Sequence, residues 1–291
     1  MNRPTLILLV GIPGLGKTTY AKKYIEQAAN TVHLSSDSIR KELYGDESIQ
    51  GNPADVFSLM QKRAIEALNN GQNVLYDATN ITRKDRSSII GICPKFAKIE
   101  CHIIWAPIEM CIERDAVRDR TVGKKVIDRM LKRFQASFVD EGIDEIKIIT
   151  PEGFDKDQYG DDCHDKMLIP HDNPHHTLDI DAHCFEAYLY LSQKGVQDRD
   201  LLEAADHHDV GKPYTKAFVD SKGNPCEHAH YYQHQCVGAW MSYGSEHNTP
   251  YIAWLISTHM DPFLNTKYYN NLPPFLKKDI DLLHEADLAA H

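Results

Sequence analysis

Two groups of residues in this 291-residue chain have the types and spacing to do chemistry. The first is Gly11-Ile12-Pro13-Gly14-Leu15-Gly16-Lys17-Thr18, which follows the apolar run Leu6–Val10 and opens a helical stretch, Thr18–Ala29. A glycine-rich turn between strand and helix lets backbone N–H groups and the helix N-terminus surround phosphate oxygens. Gly11, Gly14 and Gly16 are expected to shape the turn, and Lys17 to reach the outer phosphates of ATP or another NTP. Thr18, followed by Thr19, is expected to offer a hydroxyl to Mg²⁺. The second group is a crowd of histidines: fourteen of sixteen lie after residue 163, and His207-His208-Asp209 sits among them. Imidazole nitrogens beside a carboxylate suit a hard or borderline metal ion.

A phosphoryl-transfer enzyme also needs a base for the acceptor and cations for the transferred group. Ser36-Asp37-Ser38-Ile39-Arg40 follows the second apolar run, at the strand edge where doubly wound sheets bind ligands. Asp37 is placed to take the acceptor's proton, and Arg40, one helical turn on, to hold an anionic group of the acceptor. The alternative makes Asp37 a helix cap and Arg40 a solvated charge. Asp77-Ala78-Thr79-Asn80 ends the third run at the same edge, with Arg83 and Arg86 nearby. Asp77 either orients metal or acceptor or caps the next helix. An arginine of the run Arg114–Arg120 can serve as a clamp on the β- and γ-phosphates, or can line a charged helix face.

Those residues need a frame. Thr5–Val10, Thr31–Leu34, Asn73–Tyr76, Ile99–Trp105 and Glu145–Ile149 read as strands separated by helices, which predicts an α/β domain with a doubly wound parallel sheet. Asn52-Pro53 reads as a helix start and Gly71 as a stop. Residues 151–175, rich in Pro, Gly, Asp and Lys, read as a linker, giving domains at 1–150 and 176–291. Beyond it the sequence predicts helices only, at Asp200–His208, His230–Tyr243, Pro250–His259 and Pro274–Ala290. Ile180, His183, Ala187 and Leu191 recur near 3.6 residues and put His183 on an inward face.

Composition narrows the choices. The net charge of −10 divides into +3 for residues 1–150 (22 basic, 19 acidic) and −13 for residues 151–291 (10 basic, 23 acidic). An extended polynucleotide track is therefore not expected on the second half. Seven cysteines without a Cys-x-x-Cys pair argue against a disulfide framework and thiolate zinc. No run approaches the ~20 apolar residues of a membrane span, and the reading is a cytoplasmic protein without a membrane partner.

Over roughly residues 5–140 the chain resembles the 5′-hydroxyl polynucleotide kinases: a P-loop, Asp37-x-x-Arg40, Thr79-Asn80, and Arg114-x-x-x-Arg118. The resemblance implies that Lys17 and Thr18 bind ATP·Mg²⁺, that Asp37 is the general base, and that Arg118 clamps the donor. It also implies that Arg40, Asp77, Thr79 and Asn80 meet the acceptor. One departure is Ala78, where a bacteriophage member of that family carries aspartate directly before its Thr-Asn. The second half looks like an HD-superfamily phosphohydrolase, which implies His183, His208, Asp209 and Asp287 as one metal site and His234 and His259 as a second. Asp209 would be shared, and Lys212 would face the scissile phosphate. The spacings of 25, 26, 25 and 28 residues each fit a helix and its return. His230 competes with His234, and His284 and Glu285 with Asp287; His175, His176, His207 and His228 read as surface or supporting residues.

The fusion resembles bifunctional end-healing enzymes, which implies 5′-OH RNA or DNA ends as substrates. It further implies one or two Mn, Ni, Co, Fe or Zn ions in the helical half, and a functional link to a polynucleotide ligase. Two other readings are a small-metabolite or nucleoside kinase fused to an HD nucleotidase, and a nucleotide-responsive regulator with a non-catalytic metal domain.

Overall fold

The computed structural model describes residues 3–118, 120–154, 166–174, 177–245, 247 and 249–290. It divides into two compact units, residues 1–127 with 137–154 and residues 128–136 with 155–291. The division differs from a cut at 150 with a linker to 175. Phe134 packs edge-on against Trp240 (centroids 5.2 Å apart) and Tyr243, and Met167 is buried in a cluster with Ile180, Cys184 and Val210. Residues 166–174 thus belong to the body of the second unit. The rest of the expected linker, residues 155–165, and His175 and His176 lie outside the described residues.

In the first unit, strands β1 (Thr5–Val10), β2 (Thr31–Ser35), β3 (Asn73–Asp77), β4 (Lys98–Ile104) and β5 (Glu145–Ile149) form one parallel sheet in the order β2-β3-β1-β4-β5. Every residue from Leu6 to Val10 is at most 1% exposed. Successive strand residues face opposite sides, so the central strand is covered on both faces, which is why its sequence is a continuous apolar run. Helices α1 (Lys17–Gln27), α2 (Ser36–Tyr44), α3 (Pro53–Asn69), α4 (Arg83–Ile90), α5 (Ile108–Ala116) and α6 (Lys124–Leu131) fall between the strands, the last running into the second unit. Local chemistry sets their ends. Asn52 accepts a hydrogen bond from Ala54 N ahead of Pro53, and Thr82 and Asp85 form a capping box for α4.

The second unit is helical, with α7 (Ile180–Gln193), α8 (Arg199–His207), α9 (Lys212–Thr215), α10 (His234–Met241), α11 (Pro250–Thr258), α12 (Asp261–Leu264), α13 (Thr266–Asn271) and α14 (Pro274–Ala289). It also holds a short antiparallel hairpin, β6 (Ala217–Val219) with β7 (Pro225–His230), where only helices were expected. The hairpin is made by its turn: Asp220 Oδ1 accepts the Lys222 and Asn224 amides, each at 2.8 Å, and Gly223 adopts φ 85°. Its second strand, Pro-Cys-Glu-His-Ala-His, is mostly exposed and lacks apolar alternation. His230 therefore ends a strand instead of starting α10. Trp240, Trp254 and Tyr243 are the largest fully buried side chains of its core.

Candidate active sites

The phosphate loop is shaped by its glycines. Gly14 and Gly16 adopt φ 88° and 76°, which favours residues without Cβ, and a Cβ on Gly11 would stand 2.8 Å from the Ile104 carbonyl. Lys17 opens α1 and donates to Gly11 O (2.9 Å) and Ile12 O (2.8 Å), with Thr18 and Thr19 exposed on the same turn. Burial pushes the Lys17 pKa down to about 8; Asp77 and Asp37 oppose that shift and Arg118 adds to it. All three residues therefore act electrostatically on the lysine, as a phosphoryl-transfer centre would need.

Their supports differ from the expectations in several ways. Asp37 is not the α2 cap; that position is Ser35. Asp37 lies in the first turn, half-exposed, and its Oδ1 accepts a 2.6 Å bond from Arg40 Nη1. Arg40 Nε is buried without a hydrogen-bond partner among the described residues. Asp77, at the end of β3, is buried and lies 3.2 Å from His33 Nε2 on β2. Arg118 is half-exposed and 3.6 Å from Asp115, whose buried carboxylate also receives the Val122 and Gly123 amides.

Asn80, expected at the acceptor, has another job. It is 3% exposed, with φ 46°, and its side-chain amide donates to Leu9 O on the central strand (2.8 Å). The Thr79 carbonyl accepts from Gly11 N at 3.1 Å, so the Thr-Asn pair braces the phosphate loop through backbone contacts. Arg86 is likewise withdrawn from any nucleic-acid surface. It is fully buried, forked onto Glu141 at 2.8 and 2.6 Å, and bonded to Asn80 O. Arg83 is part-buried at the start of α4.

In the second unit, all six residues expected to hold metal meet. His183, His208, Asp209 and Asp287 form one group and Asp209, His234 and His259 another, the ligand atoms of each lying within 4.8 Å of one another. Asp209 reaches both: Oδ2 is 3.6 Å from the Nε2 of His183 and of His208, and Oδ1 is 3.2 Å from His234 Nε2. Asp287 Oδ1 lies 3.0 Å from His183 Nε2 and 3.4 Å from His208 Nε2. Close chain packing makes this possible. A Cβ on Gly211, two residues after Asp209, would stand 2.1 Å from the His234 carbonyl, so only glycine lets that turn touch α10.

The donor set fits a divalent metal. Each ring Nδ1 faces a backbone carbonyl: His183 to Ala290 (2.6 Å), His208 to Ala205 (2.8 Å), His234 to Tyr231 (2.9 Å) and His259 to Ile256 (2.8 Å). A carbonyl only accepts, so Nδ1 carries the proton and Nε2 turns its lone pair inward. The inward nitrogens meet in pairs, His183 with His208 at 3.2 Å and His234 with His259 at 3.1 Å. Two lone pairs at that distance repel unless a cation or proton lies between them. Burial works against charge on Asp209 and Asp287, yet Lys212 and a His208 raised well above its usual range hold the first well below the usual carboxylate range, and protons on His183 and His208 hold the second there; a metal ion would take the place of those protons on Nε2. Burial, with His234 and His208 nearby, pushes His259 down to about 3, a neutral ligand.

The rivals stay outside. His230 stacks on Tyr232, His207 turns to Glu203 and Asp206, His284 packs on Phe263, and Glu285 pairs with Lys194. Lys212, expected to face a scissile phosphate, is buried against Asp209 with its ammonium over the Tyr231 ring. The sequence reading missed His33, Asp115, Tyr231 and above all His171. That residue is 1% exposed, stands edge-on to His183 at 5.3 Å, and directs Nε2 to within 3.9 Å of Asp209 Oδ2. No periodic signal marks it; a histidine shortly before the helix of His183 was the available clue.

Comparison with known proteins finds similarities in the first half of the chain. Residues 6–137 match the family described as an AAA domain. L-seryl-tRNA(Sec) kinase of Methanococcus maripaludis is 28% identical over 135 residues, 44% of this chain and 52% of that protein. Transcription factor bHLH140 of Arabidopsis thaliana is 24% identical over 148 residues, 48% of this chain and 15% of its own length. The chain thus spans about half or less of these curated relatives. Among solved structures, one from the Pnkp1/Rnl/Hen1 RNA repair complex is 24% identical, covers 46% of this chain and 44% of its own, and has a TM-score of 0.42. The first unit is thus a parallel-sheet domain that carries a phosphate loop and is similar over that stretch to L-seryl-tRNA(Sec) kinase. No helix among the described residues is long and apolar enough to cross a membrane.

Proposed function

We propose that the chain repairs nucleic-acid ends, phosphorylating 5′-OH termini with ATP and hydrolysing 2′,3′-cyclic phosphate or 2′/3′-phosphate termini at a dinuclear metal centre. The observation that carries the reading is the meeting of four inward imidazoles and two carboxylates in one unit of a chain whose other unit is a P-loop domain. The two products, a 5′-phosphate and a 3′-OH, are the pair that a polynucleotide ligase joins.

In the kinase half, the acceptor hydroxyl meets Asp37, which takes its proton as the oxygen attacks the γ-phosphorus and ADP leaves. Lys17 and Arg118 carry the charge that develops on the phosphoryl oxygens. Arg40 holds Asp37 through Nη1, and its guanidinium would meet an anionic group of the acceptor, which favours a substrate with a phosphate near its hydroxyl. In the helical half, His183, His208, Asp209 and Asp287 would hold one ion and Asp209, His234 and His259 another. Bound ions there supply an acidified water and steady the leaving oxygen of a phosphoester. Lys212 neutralises Asp209 and keeps its oxygens in place.

The test is end labelling. A 5′-OH oligonucleotide should take up label from γ-labelled ATP while its 5′-phosphorylated counterpart does not, and a 2′,3′-cyclic end should open and lose phosphate when Mn²⁺, Ni²⁺ or Co²⁺ is supplied. Labelling confined to free nucleosides or sugars would replace the polynucleotide reading with a metabolite kinase.

A further inference from the structure

The segment that leads into α10 carries an exposed pair of rings that neither reaction has used so far. His230, the last residue of β7, and Tyr232 lie face to face, with centroids 5.3 Å apart and planes 8° from parallel. Tyr232 is exposed, and among the described residues His230 is its one ring partner and its hydroxyl has no hydrogen-bond partner. The backbone beneath the pair is fixed. His230 is held in register with Ala217 across the hairpin, the Tyr231 hydroxyl donates to the His171 carbonyl, the Tyr231 carbonyl accepts from His234 Nδ1, and Gln233 turns the chain into α10 at φ 66°. A left-handed residue other than glycine is uncommon and persists where the surrounding structure determines it. The pair also stands by the opening of the metal groups. Of the ligand side chains, those of Asp287 and His234 are the most accessible, at 21% and 9%, while His183, His208, Asp209 and His259 are buried. A substrate therefore reaches the centre past these two, and Tyr232 precedes His234 by two residues, which limits the separation of their Cα atoms to about 7 Å.

We propose that His230 and Tyr232 form the stacking platform for the nucleobase next to the scissile phosphate, the element by which the hydrolytic centre tells a nucleotide end from a base-free phosphoester. The proposal rests on the end-healing reading of the helical unit. Every base has a π-face, so a flat aromatic surface accepts purine and pyrimidine alike, and unstacked terminal bases are held in this way. A base laid on Tyr232 extends the stack by one layer, and its ribose carries the phosphate toward His234. Charge points to the same occupant. Residues 151–291 hold 10 basic and 23 acidic side chains, so neutralisation of a long run of phosphates cannot supply the affinity here, and stacking on one base can. A sugar phosphate without a ring gains nothing from the pair.

The experiment uses the metal-loaded full chain and two esters with the same scissile group, a nucleoside 2′,3′-cyclic phosphate and methyl riboside 2′,3′-cyclic phosphate, which has no base. For the parent and each variant, kcat and KM are measured on both, and metal per chain by elemental analysis. Stacking of one base on an aromatic side chain corresponds to about 5- to 150-fold in affinity, so the parent should show a KM lower by about that factor for the nucleoside ester, with kcat little different. Tyr232→Ala and Tyr232→Leu should bring the ratio of the two KM values toward one at parental metal content, and Tyr232→Phe should keep it. Phe275→Ala should keep it as well, since that ring, 66% exposed, lies about 18 Å along α14 from Asp287. Equal KM values in the parent overturn the proposal, as does a parental ratio in both Tyr232→Ala and Tyr232→Leu. A ratio that falls only together with metal content also overturns it, because Tyr232 would then be a prop for His234. Turnover of both esters at equal KM leaves the end-healing reading standing, whereas a parent that binds metal and hydrolyses neither would sink that reading and this proposal with it.

Discussion

Replacing His234 by alanine should remove one metal ion and leave another. The group of Asp209, His234 and His259 has three protein donors, and either histidine's loss leaves two, too few to hold a transition metal against water; the group of His183, His208, Asp209 and Asp287 keeps all four. His234→Ala and His259→Ala should therefore fall from two metals per chain toward one. Asp209→Ala takes a donor from both, because Oδ1 serves one group and Oδ2 the other, leaving two donors in the first and three in the second, so it should lose one ion and weaken the other. His208→Ala reduces the four-donor group to three. Stability should follow the count. A metal present at a hundredfold excess over its Kd stabilises by about 2.7 kcal/mol. Each kcal/mol shifts Tm by about 2–4 °C in a unit of this size, so one lost site lowers Tm by roughly 5–11 °C. Elemental analysis and calorimetry with and without chelator measure both quantities, and labelling of a 5′-OH end shows that the kinase is intact. Two metals retained in both His234→Ala and His259→Ala would refute the dinuclear assignment.

Further expectations concern the first unit. Lys17→Ala and Asp37→Asn should each lower phosphoryl transfer by orders of magnitude without changing metal content or hydrolysis; near-parental kinase activity in Asp37→Asn would move the base elsewhere. Arg40→Ala should weaken an oligonucleotide acceptor more than a nucleoside without a 3′-phosphate, although loss of its bond to Asp37 will lower kcat on both. Equal KM changes on the two acceptors would argue for a small-metabolite substrate. ATP affinity should be flat below pH 8 and fall above it. Burial holds the free Lys17 at about 8 and bound phosphates raise it, so binding above pH 8 must take up a proton. Calorimetry at pH 9 in buffers of different ionisation enthalpy reads that uptake, and zero uptake refutes it. Glu141→Ala should strand the buried Arg86 and destabilise the unit by about 3–5 kcal/mol in denaturant unfolding, while Arg86→Met with Glu141→Leu recovers much of the loss.

What the sequence made legible was chemistry carried by neighbouring residues. The phosphate loop needs eight contiguous positions, and the central strand of the parallel sheet announces itself as an apolar run because both its faces are buried. His183 followed from helical period. Two polar residues, Asn80 and Arg86, were hidden by one cause, a partner remote in sequence. Asn80 and Leu9 are 71 residues apart, and Arg86 and Glu141 are 55. From sequence alone such an arginine looks like a surface charge near a nucleotide site. The fold spends it inside, where its fork satisfies a buried carboxylate and the Asn80 carbonyl together. His171 was hidden for a related reason: it arrives in an irregular segment, where no period marks an inward face, and only the folded path past Leu178 and Tyr231 aims it.

The ligand histidines carry a local signature that explains why the helical unit builds its site where it does. His208 and His259 cap the C-termini of α8 and α11, and each donates Nδ1–H to the carbonyl three residues back, Ala205 O and Ile256 O. The last four carbonyls of a helix have no partner within it, so a histidine at the cap satisfies one and has its tautomer chosen by doing so. His234 repeats the three-residue spacing with Tyr231 O just ahead of α10. A helix end thus supplies three things at once: an orphan acceptor, a ring locked with Nε2 outward, and the negative end of a dipole that favours a nearby cation. Two such ends and one helix start, drawn together by the close contact at Gly211, leave Asp209 at the meeting point with an oxygen for each side. Moving any of these histidines one residue along its helix would keep the composition and turn the ring by about 100°, so the positions relative to the helix ends, more than the number of histidines, are what bring the Nε2 atoms together around Asp209.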